Sequence, residues 1–451
     1  MTQQDMSEVK KMDEKIPTRV LPGFMELLPA EQIVFDRIKN TIAEVYQRYG
    51  FAPLDTPVIE RAEVLLAKAG GETEKQIYQF TKGDNELALR FDLTVPLARY
   101  VSEHVNDLVF PFRRSHIAKV YRGERSQKGR YREFYQADID IIGDGSLSLM
   151  NDAEIPSVIY DVFSKLNIGA FVIRISNRKL IGGLLESLET GNMSVGVIQT
   201  IDKLEKIGQN EVHGILVELG VPDNTIREIF TFTDIKGTPE DVLNALRNLC
   251  IENELFQTGI KELEEVTHYL KVLGVPPDCY AIDLTIARGL DYYTGTVYET
   301  ILREHSELGS ICSGGRYDNL AEKYTKRKLP GVGISIGLTR LFSQLKDIGL
   351  IELGAATPTK ALVVPLVADM AIPLEIATTL REAGIAAEVY FEDVKMKNKL
   401  AYANKLGIPF VILVGEDEIA SGEFAVKNME TGEQVLLTKA DIPAHIKSAI
   451  M

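Results

Sequence analysis

Apolar and polar positions alternate along several stretches of the first half of the chain. Phe112–Tyr121 and Glu133–Ile142 combine this alternation with β-branched and aromatic residues, which predicts two strands. Between them Gly123–Arg130 is polar and holds two glycines, so we expect a hairpin loop there. Apolar residues at helical spacing predict a helix over Val34–Tyr46, and the following segment, which ends in TPVIE, predicts a strand. This half of the chain should therefore mix helices and strands.

The later part of the chain follows other patterns. Ile198–Ile207 and Val242–Leu249 have helical spacing, as does much of the region around them. After a segment of small residues, Gly354–Thr359, strands and helices are predicted to alternate. The predicted order is strand Leu362–Leu366, helix Ile372–Ala383, strand Ala387–Phe391, helix Asn398–Leu406 and strand Pro409–Val414. Such alternation is typical of a small α/β unit.

Composition narrows the class of protein. A chain of 451 residues with 45% hydrophobic and 25% charged residues is typical of a globular protein of about two or three domains. No apolar run approaches the roughly 20 residues of a membrane span. Residues 1–17 are polar and of mixed charge, so we expect a flexible extension and not a signal peptide. Cys250, Cys279 and Cys312 are far apart, which argues against zinc or a disulfide framework and fits a reducing compartment.

One segment departs from the acidic character of the chain. The net charge is -15, yet residues 113–132 contain eight Lys or Arg and one acidic residue. A cationic island in an acidic protein favours an anionic ligand, and Arg122, Arg125 and Arg130 could bind phosphate oxygens through bidentate contacts. The alternative is a charged surface hairpin whose aromatic residues face the core.

The motifs in and beyond this segment resemble those of one family. YRGE at Tyr121–Glu124 and GRYREFYQ at Gly129–Gln136 resemble motif 2 of class II aminoacyl-tRNA synthetases, in the form that histidyl-tRNA synthetases have. ARGLDYYTGTVYE (287–299) and SGGRYDNL (313–320) resemble the two histidine-specific segments of that family. GVGISIGLTRL (331–341) resembles motif 3, although Thr339 stands where the family usually has Glu.

Two earlier segments agree with this resemblance. Pro29–Glu60 is similar to motif 1, whose proline, here Pro57, lies near a dimer interface in class II enzymes. LRFDLT (89–94) is similar to the amino-acid-binding loop, and its Asp92 and Thr94 look more like the eukaryotic branch. The resemblance therefore covers nearly the whole chain. For the glycine pair in SGGRYDNL, the alternative is a tight turn between strands.

The resemblance implies an α+β catalytic domain built on an antiparallel sheet, with a mainly helical insertion, and a C-terminal α/β domain similar to anticodon-binding domains. The boundaries that we predict are 18–175 and 276–350 for the catalytic domain, 176–275 for the insertion, 351–359 for a linker and 360–451 for the C-terminal domain. The insertion either contacts the tRNA acceptor arm or serves packing alone. The run KMKNK at Lys395–Lys399 either contacts phosphates or begins a solvated helix.

The implied activity is ATP-dependent ligation of histidine to tRNA(His) through a histidyl-adenylate, by a cytoplasmic homodimer. ATP enters as a substrate with Mg²⁺, and neither a prosthetic group nor a fixed protein metal site is expected. The family pattern assigns catalysis to Arg122 and Arg288, and ATP binding to Arg122, Glu124, Arg130, Phe134 and Arg340. It assigns histidine binding to Asp92, Thr94, Gln136, Asp140, Arg288, Tyr293 and Tyr317.

Two other functions remain open from the sequence. The first is a regulatory subunit of ATP phosphoribosyltransferase, which shares the class II core but usually lacks both the C-terminal domain and the arginine at 288. The second is a synthetase-like stress-sensing domain, which normally belongs to a much longer chain. The overall acidic charge argues only weakly against nucleic-acid binding, since tRNA binding depends on local patches.

Overall fold

The computed structural model describes residues 17–67, 72–125, 129–286 and 293–450. The predicted extension, apart from its last residue, and the predicted catalytic Arg288 lie outside the described residues. Residue contacts divide the chain into two compact units. The first comprises Met1–Met25 and Lys39–Leu350, and the second comprises Glu26–Ile38 and Ile351–Met451.

The strands, numbered along the chain, form three sheets. They are β1 Ala52–Pro53, β2 Ile59–Arg61, β3 Gln79–Lys82, β4 Asn85–Leu89, β5 Phe112–Tyr121, β6 Glu133–Ile142, β7 Phe171–Asn177, β8 Tyr280–Ile282, β9 Thr296–Leu302, β10 Cys312–Tyr317, β11 Gly331–Ile336, β12 Ala361–Pro365, β13 Ala387–Val389, β14 Phe410–Val414, β15 Glu423–Asn428 and β16 Gln434–Thr438.

The first unit is built on an eight-stranded sheet of order β1-β5-β6-β11-β10-β9-β7-β8. The six central strands are antiparallel, whereas the two short edge strands, β1 and β8, pair in parallel with their neighbours. A small antiparallel sheet of order β2-β4-β3 lies earlier in the chain. The predicted antiparallel catalytic sheet is confirmed, with parallel pairing added at its two edges.

The β5–β6 hairpin has the bounds that alternation predicts. Its register runs from Phe112 opposite Ile142 to Tyr121 opposite Glu133. Along β6 the odd-numbered Ala137, Ile139 and Ile141 are fully buried, while the even-numbered residues project from the other face. That other face carries the polar side chains of the candidate site.

Helices flank this sheet and fill the region between β7 and β8. They are Pro29–Arg48, Ala62–Leu66, Glu72–Gln76, Thr94–Glu103, Met150–Leu166, Arg178–Ser187, Ser194–Ile201, Leu204–Glu218, Asp223–Thr233, Pro239–Asn248, Glu254–Val272 and Leu338–Asp347. The predicted helix over Ile198–Ile207 is wrong as one element, since the chain ends one helix at Ile201 and begins another at Leu204. No helix in the described part of the chain is long and apolar enough to cross a membrane.

The second unit has its own five-stranded sheet of order β13-β12-β14-β15-β16. Its helices are Ala371–Glu382, Met396–Leu406, Glu416–Ser421 and Ile442–Ile450. The strand predicted over Ala387–Phe391 ends at Val389, and Phe391 is 67% exposed. The two antiparallel strands β15 and β16 were not predicted, but the α/β character of this unit is confirmed.

Candidate active site

The polar face of the large sheet forms the floor of a cavity of about 650 Å³. The structure brings eleven of the twelve predicted site residues to its wall, and the twelfth, Arg288, lies outside the described residues. The eleven are Asp92, Thr94, Arg122, Glu124, Arg130, Phe134, Gln136, Asp140, Tyr293, Tyr317 and Arg340. The hairpin strands, the loop before helix Thr94–Glu103 and the strands β10 and β11 thus converge on one site.

One end of the cavity is anionic. Asp140 on β6 is 3% exposed, and its Oδ1 accepts a hydrogen bond from the Tyr317 hydroxyl at 2.7 Å. Its Oδ2 lies 2.5 Å from Nη2 of Arg114, a guanidinium with no exposed surface. Burial raises the pKa of Asp140, against the Arg114 charge and the Tyr317 hydrogen bond, which lower it. Both carboxylate oxygens are therefore held in place.

Two further groups at this end keep unused acceptor atoms. Asp92 Oδ1 accepts the backbone N–H of Val95 at 3.0 Å, at the start of helix Thr94–Glu103, while its buried Oδ2 has no hydrogen-bond partner. Burial raises the pKa of Asp92 to about 6. Gln136 Nε2 donates to Ser335 Oγ at 2.7 Å, and its Oε1 is likewise buried and unpartnered. Buried acceptors without donors suit a ligand that brings N–H groups.

Glycines on β11 make room for these side chains. Gly333 lies opposite Asp140 in the register, and a Cβ on it would collide with Asp140 Oδ1 and the Ile139 carbonyl oxygen. A Cβ on Gly331 would lie 2.5 Å from ring atoms of Tyr317. The alternating glycines of the GVG segment therefore reflect a close approach of side chains to a neighbouring backbone.

The other end of the cavity is cationic. Arg122 follows the end of β5, and its Nε donates to the Phe91 carbonyl at 3.0 Å. Its guanidinium carbon lies 5.2 Å from the ring centroid of Phe134, so the aromatic ring supports the cation. Arg130 is 60% exposed and lies 3.6 Å from a Glu124 carboxylate oxygen. The position of Arg122 is thus fixed by packing, whereas Arg130 remains open to a ligand.

Arg340 completes this end from helix Leu338–Asp347. Its Nη2 donates to the Leu308 carbonyl at 2.6 Å, and its buried Nε has no hydrogen-bond partner. Burial and the neighbouring Arg130 charge lower the pKa of Arg340. Thr339 does not line the cavity, because its hydroxyl accepts the backbone N–H of Tyr135 at 2.8 Å. The departure from the usual motif 3 Glu therefore places a structural hydrogen bond between helix and hairpin.

Comparison with known proteins decides the family. Residues 23–341 match the histidyl-tRNA synthetase family, and residues 360–449 match the anticodon-binding domain family. The histidine–tRNA ligase of Clostridium tetani is 58% identical over 431 residues, which cover 95% of this chain and 98% of the relative. The corresponding ligase of Stenotrophomonas maltophilia is 49% identical, with 93% of this chain and 95% of the relative covered.

The chain belongs to the histidyl-tRNA synthetase family. It is a class II aminoacyl-tRNA synthetase that ligates histidine to tRNA for protein synthesis, as predicted. The crystal structure of the histidyl-tRNA synthetase from Nostoc sp. superposes with a TM-score of 0.89 at 42% identity and covers 96% of this chain and 100% of that one. A second structure, from Bacillus halodurans, is described as an ATP phosphoribosyltransferase regulatory subunit/histidyl-tRNA synthetase. It superposes with a TM-score of 0.74 at 20% identity, and the match covers 89% of this chain and 99% of that one. At this identity the likeness shows a shared fold alone.

The synthetase's cavity also contains residues that the sequence analysis did not select. Asp138 lines the anionic end beside Asp140, and the Arg114 guanidinium lies behind both, 4.0 Å from Asp138 Oδ2. The available signal was the spacing ADID, which places two acids on one face of a strand. The glycine pair of SGGRYDNL lies within strand β10, so the alternative of a tight turn is wrong.

The helical region after β7 also reaches the cavity. Asp202 and Lys206 line it together with Glu299 of β9. Burial raises the pKa of Glu299 to about 7. Lys206 is exposed and belongs to none of the family motifs, so only the folded structure places it at this cavity.

Proposed function

We propose that the enzyme forms histidyl-adenylate in this cavity before it charges tRNA(His). The observation that carries the proposal is that one cavity is lined both by buried carboxylates, with Asp140 held by Arg114 and Tyr317, and by a group of arginines in which Arg130 neighbours Arg340. Histidine brings an α-ammonium and ring N–H groups, while its carboxylate must meet the α-phosphate of ATP. A ligand pair with that charge distribution matches the cavity.

The histidine side is assigned to the anionic end. Asp92, Thr94 and Gln136 receive the α-ammonium, in line with the unpartnered Asp92 Oδ2 and Gln136 Oε1. Asp140 recognises the imidazole together with Tyr293 and Tyr317. A buried carboxylate selects histidine over an apolar amino acid of similar shape, because only histidine donates an N–H group to the acceptor capacity that Tyr317 and Arg114 leave on Asp140.

The ATP side is assigned to the cationic end. Arg122 contacts the α-phosphate and the histidine carboxylate, with Glu124 beside it. Arg130 and Arg340 hold the distal phosphates or the adenine face, and Phe134 stacks on the adenine. Phosphoryl-type transfer depends mainly on such positioning and charge neutralisation. Arg288 is assigned to the α-phosphate from the family pattern.

The chemistry has two steps. A carboxylate oxygen of histidine attacks the α-phosphorus, the bond to the β-phosphate oxygen breaks and pyrophosphate leaves. The terminal ribose hydroxyl of tRNA(His) then attacks the activated carbonyl, and AMP leaves. We assign Mg²⁺ to the phosphates of the ATP that enters, because Mg²⁺ prefers oxygen ligands and is commonly bound through substrate phosphates.

We further propose a cytoplasmic homodimer with the domain limits predicted above. The motif 1 region around Pro57 supports dimerisation, because Val58, Ile59 and Phe80 expose apolar surface on or beside the small sheet. The free thiols of Cys250, Cys279 and Cys312 support a reducing compartment. The anticodon-binding family match supports contact of the C-terminal unit with tRNA.

Histidine-dependent ATP–pyrophosphate exchange tests the assignment of the two ends. Asp140→Ala should raise the histidine KM about 10- to 150-fold, because loss of a charge-assisted hydrogen bond to a buried ligand costs roughly 1.5–3 kcal/mol. The KM for ATP should change little, which also shows that the variant is folded. Asp144→Ala, a partly exposed aspartate just beyond β6 that pairs with Arg327, is the matched control. An unchanged histidine KM in Asp140→Ala would remove Asp140 from the histidine site.

A further inference from the structure

Asp138 is a cavity residue to which the proposed function gives no role. It projects from the same face of β6 as Asp140, two residues away, and is 2% exposed. In the register it lies between His116 on β5 and Ser335 on β11. Its Oδ1 is buried without a hydrogen-bond partner in the described structure.

The unused oxygen distinguishes Asp138 from its neighbour. Asp140 already engages Tyr317 through one oxygen and Arg114 through the other, at 2.7 and 2.5 Å. Asp138 Oδ1 has no such contact, and Asp138 is one of the residues that line the cavity. A buried acceptor without a donor is unfavourable, and a ligand that donates an N–H group to it removes that penalty.

We propose that Asp138 is a second specificity carboxylate, which accepts a hydrogen bond from bound histidine in its ionised form and loses a proton when histidine binds. This inference rests on the proposed assignment of the anionic end to histidine. The proton balance follows from the charges. Asp138 and Asp140 are both buried against the single guanidinium of Arg114, and Asp92 lies near Arg114 and Arg122, so full ionisation of the three carboxylates would leave one uncompensated negative charge. The empty site therefore retains a proton, and the α-ammonium and a ring N–H of a neutral imidazole replace it.

The surroundings restrict which group releases the proton. The titratable and charged groups that face Asp138 are Arg114 and His116 from β5, Asp140 from β6, Cys312 from β10, Tyr46 from helix Pro29–Arg48 and Asp92 from the loop before helix Thr94–Glu103. Burial and Arg114 lower the pKa of His116 to about 4, so this ring is neutral near pH 7. Burial raises the pKa of the Cys312 thiol and the Tyr46 hydroxyl, which keeps both protonated. The carboxylates remain, and burial raises the pKa of Asp138 to about 7 and that of Asp92 to about 6.

Calorimetric titration of the full-length enzyme with histidine tests the inference. Titrations at pH 7 in two buffers of different ionisation enthalpy give the number of protons released per histidine bound. Asp138→Asn keeps the shape of the side chain and removes its titration. We expect wild type to release about half a proton more than the variant, since a group with a pKa near 7 is half protonated at that pH. The ring of free histidine contributes equally to both proteins and cancels.

The affinity for histidine should also fall when the Asp138 carboxylate is removed. At pH 8, where Asp138 is ionised, Asp138→Asn should weaken histidine binding about 3- to 10-fold, because a charged acceptor binds roughly twice as strongly as a neutral one. The ATP KM should stay unchanged. Asp144→Asn is the matched control, as an aspartate beyond the end of the same strand, and should release as many protons as wild type.

The outcomes separate this inference from the proposed function. Equal proton release by wild type and Asp138→Asn overturns it, even if Asp140→Ala raises the histidine KM. If Asp140→Ala leaves that KM unchanged, the histidine pocket itself is wrongly assigned. If Asp138→Asn does not fold, proton release by the wild type decides alone. A free imidazole with a pKa of about 6.5 itself loses about a quarter of a proton at pH 7. Proton release clearly above that value supports the inference, and proton release at or below it overturns the inference.

Discussion

Loss of the Asp152 carboxylate should destabilise the catalytic unit strongly. Asp152, at the start of helix Met150–Leu166, has no exposed surface, and it accepts hydrogen bonds from Arg316 on β10 at 2.5, 3.0 and 3.1 Å. Arg316 also donates to the carbonyl oxygens of Leu147 and Ser148, both at 3.2 Å. Asp152→Ala would leave those two carbonyls as partners of a buried guanidinium. Removing one member of such a buried pair typically costs 3–5 kcal/mol, so we expect a loss of about that size in the free energy of unfolding.

Urea denaturation followed by circular dichroism at 222 nm measures this loss, since the chain has no tryptophan to report by fluorescence. Arg327→Ala is a matched control, because Arg327 makes an equally short two-pronged pair with Asp144, at 2.8 and 2.9 Å, but both partners are partly exposed. An exposed pair contributes about 0.2–1 kcal/mol. Equal losses in the two variants would refute the argument that burial makes the Asp152 pair critical.

Three further outcomes follow. Arg288→Ala should slow single-turnover adenylate formation about 10²- to 10³-fold with little loss of ATP affinity, and Arg288→Lys should restore part of the rate; a near-wild-type rate would make Arg288 structural. The double substitution Lys395→Glu and Lys397→Glu removes two exposed positive charges, so it should lower the rate of tRNA charging and weaken its salt dependence, while pyrophosphate exchange stays constant. An unchanged charging rate would mean that these lysines only begin a solvated helix. Because the pKa values of Asp92 and Asp138 are raised to about 6 and 7, both groups stabilise the folded, histidine-free protein at low pH, and this stabilisation is lost as the pH rises through those values. The free energy of unfolding, measured by urea denaturation, should therefore decline with rising pH, and it should decline less in Asp138→Asn. An equal decline in both proteins would exclude Asp138 as its source.

Local pattern was sufficient for the elements whose residues alternate cleanly. The bounds of β6 follow from alternation, because one of its faces carries Ala137, Ile139 and Ile141. Strand β5 mixes polar and apolar residues on both faces, and its β-branched and aromatic residues carried the prediction. The break between Ile201 and Leu204 could not be predicted, because the apolar spacing continues through it. Strand β16 was not predicted because four of its five residues are exposed, Leu436 among them. With neither face buried, the strand lacks the alternation of apolar and polar residues that marks β6.

Site residues that belong to a sequence motif could be predicted. Site residues that only the pairing of distant strands brings to the cavity could not. Arg114 looks like part of a solvated basic run, yet the register places it opposite Asp140 in the interior. Its burial depends on pairing between β5 and β6 and on Leu93, whose carbonyl accepts from its Nη2 at 3.3 Å. Lys206 reaches the rim from a helix that is remote in sequence from every motif. Such long-range relations have no local signature.

The glycines of β11 make the proposed histidine selectivity depend on the absence of two side chains. A single methyl group at position 333 would collide with the Asp140 carboxylate and the Ile139 carbonyl oxygen, although the methyl group itself neither donates, accepts nor carries charge. A search for histidine specificity that surveys only polar side chains would pass over this position. Attempts to redirect the pocket to another amino acid therefore have to treat Asp140 and Gly333 as one unit. A larger residue at position 140 on β6 needs the space that Gly333 on β11 leaves empty.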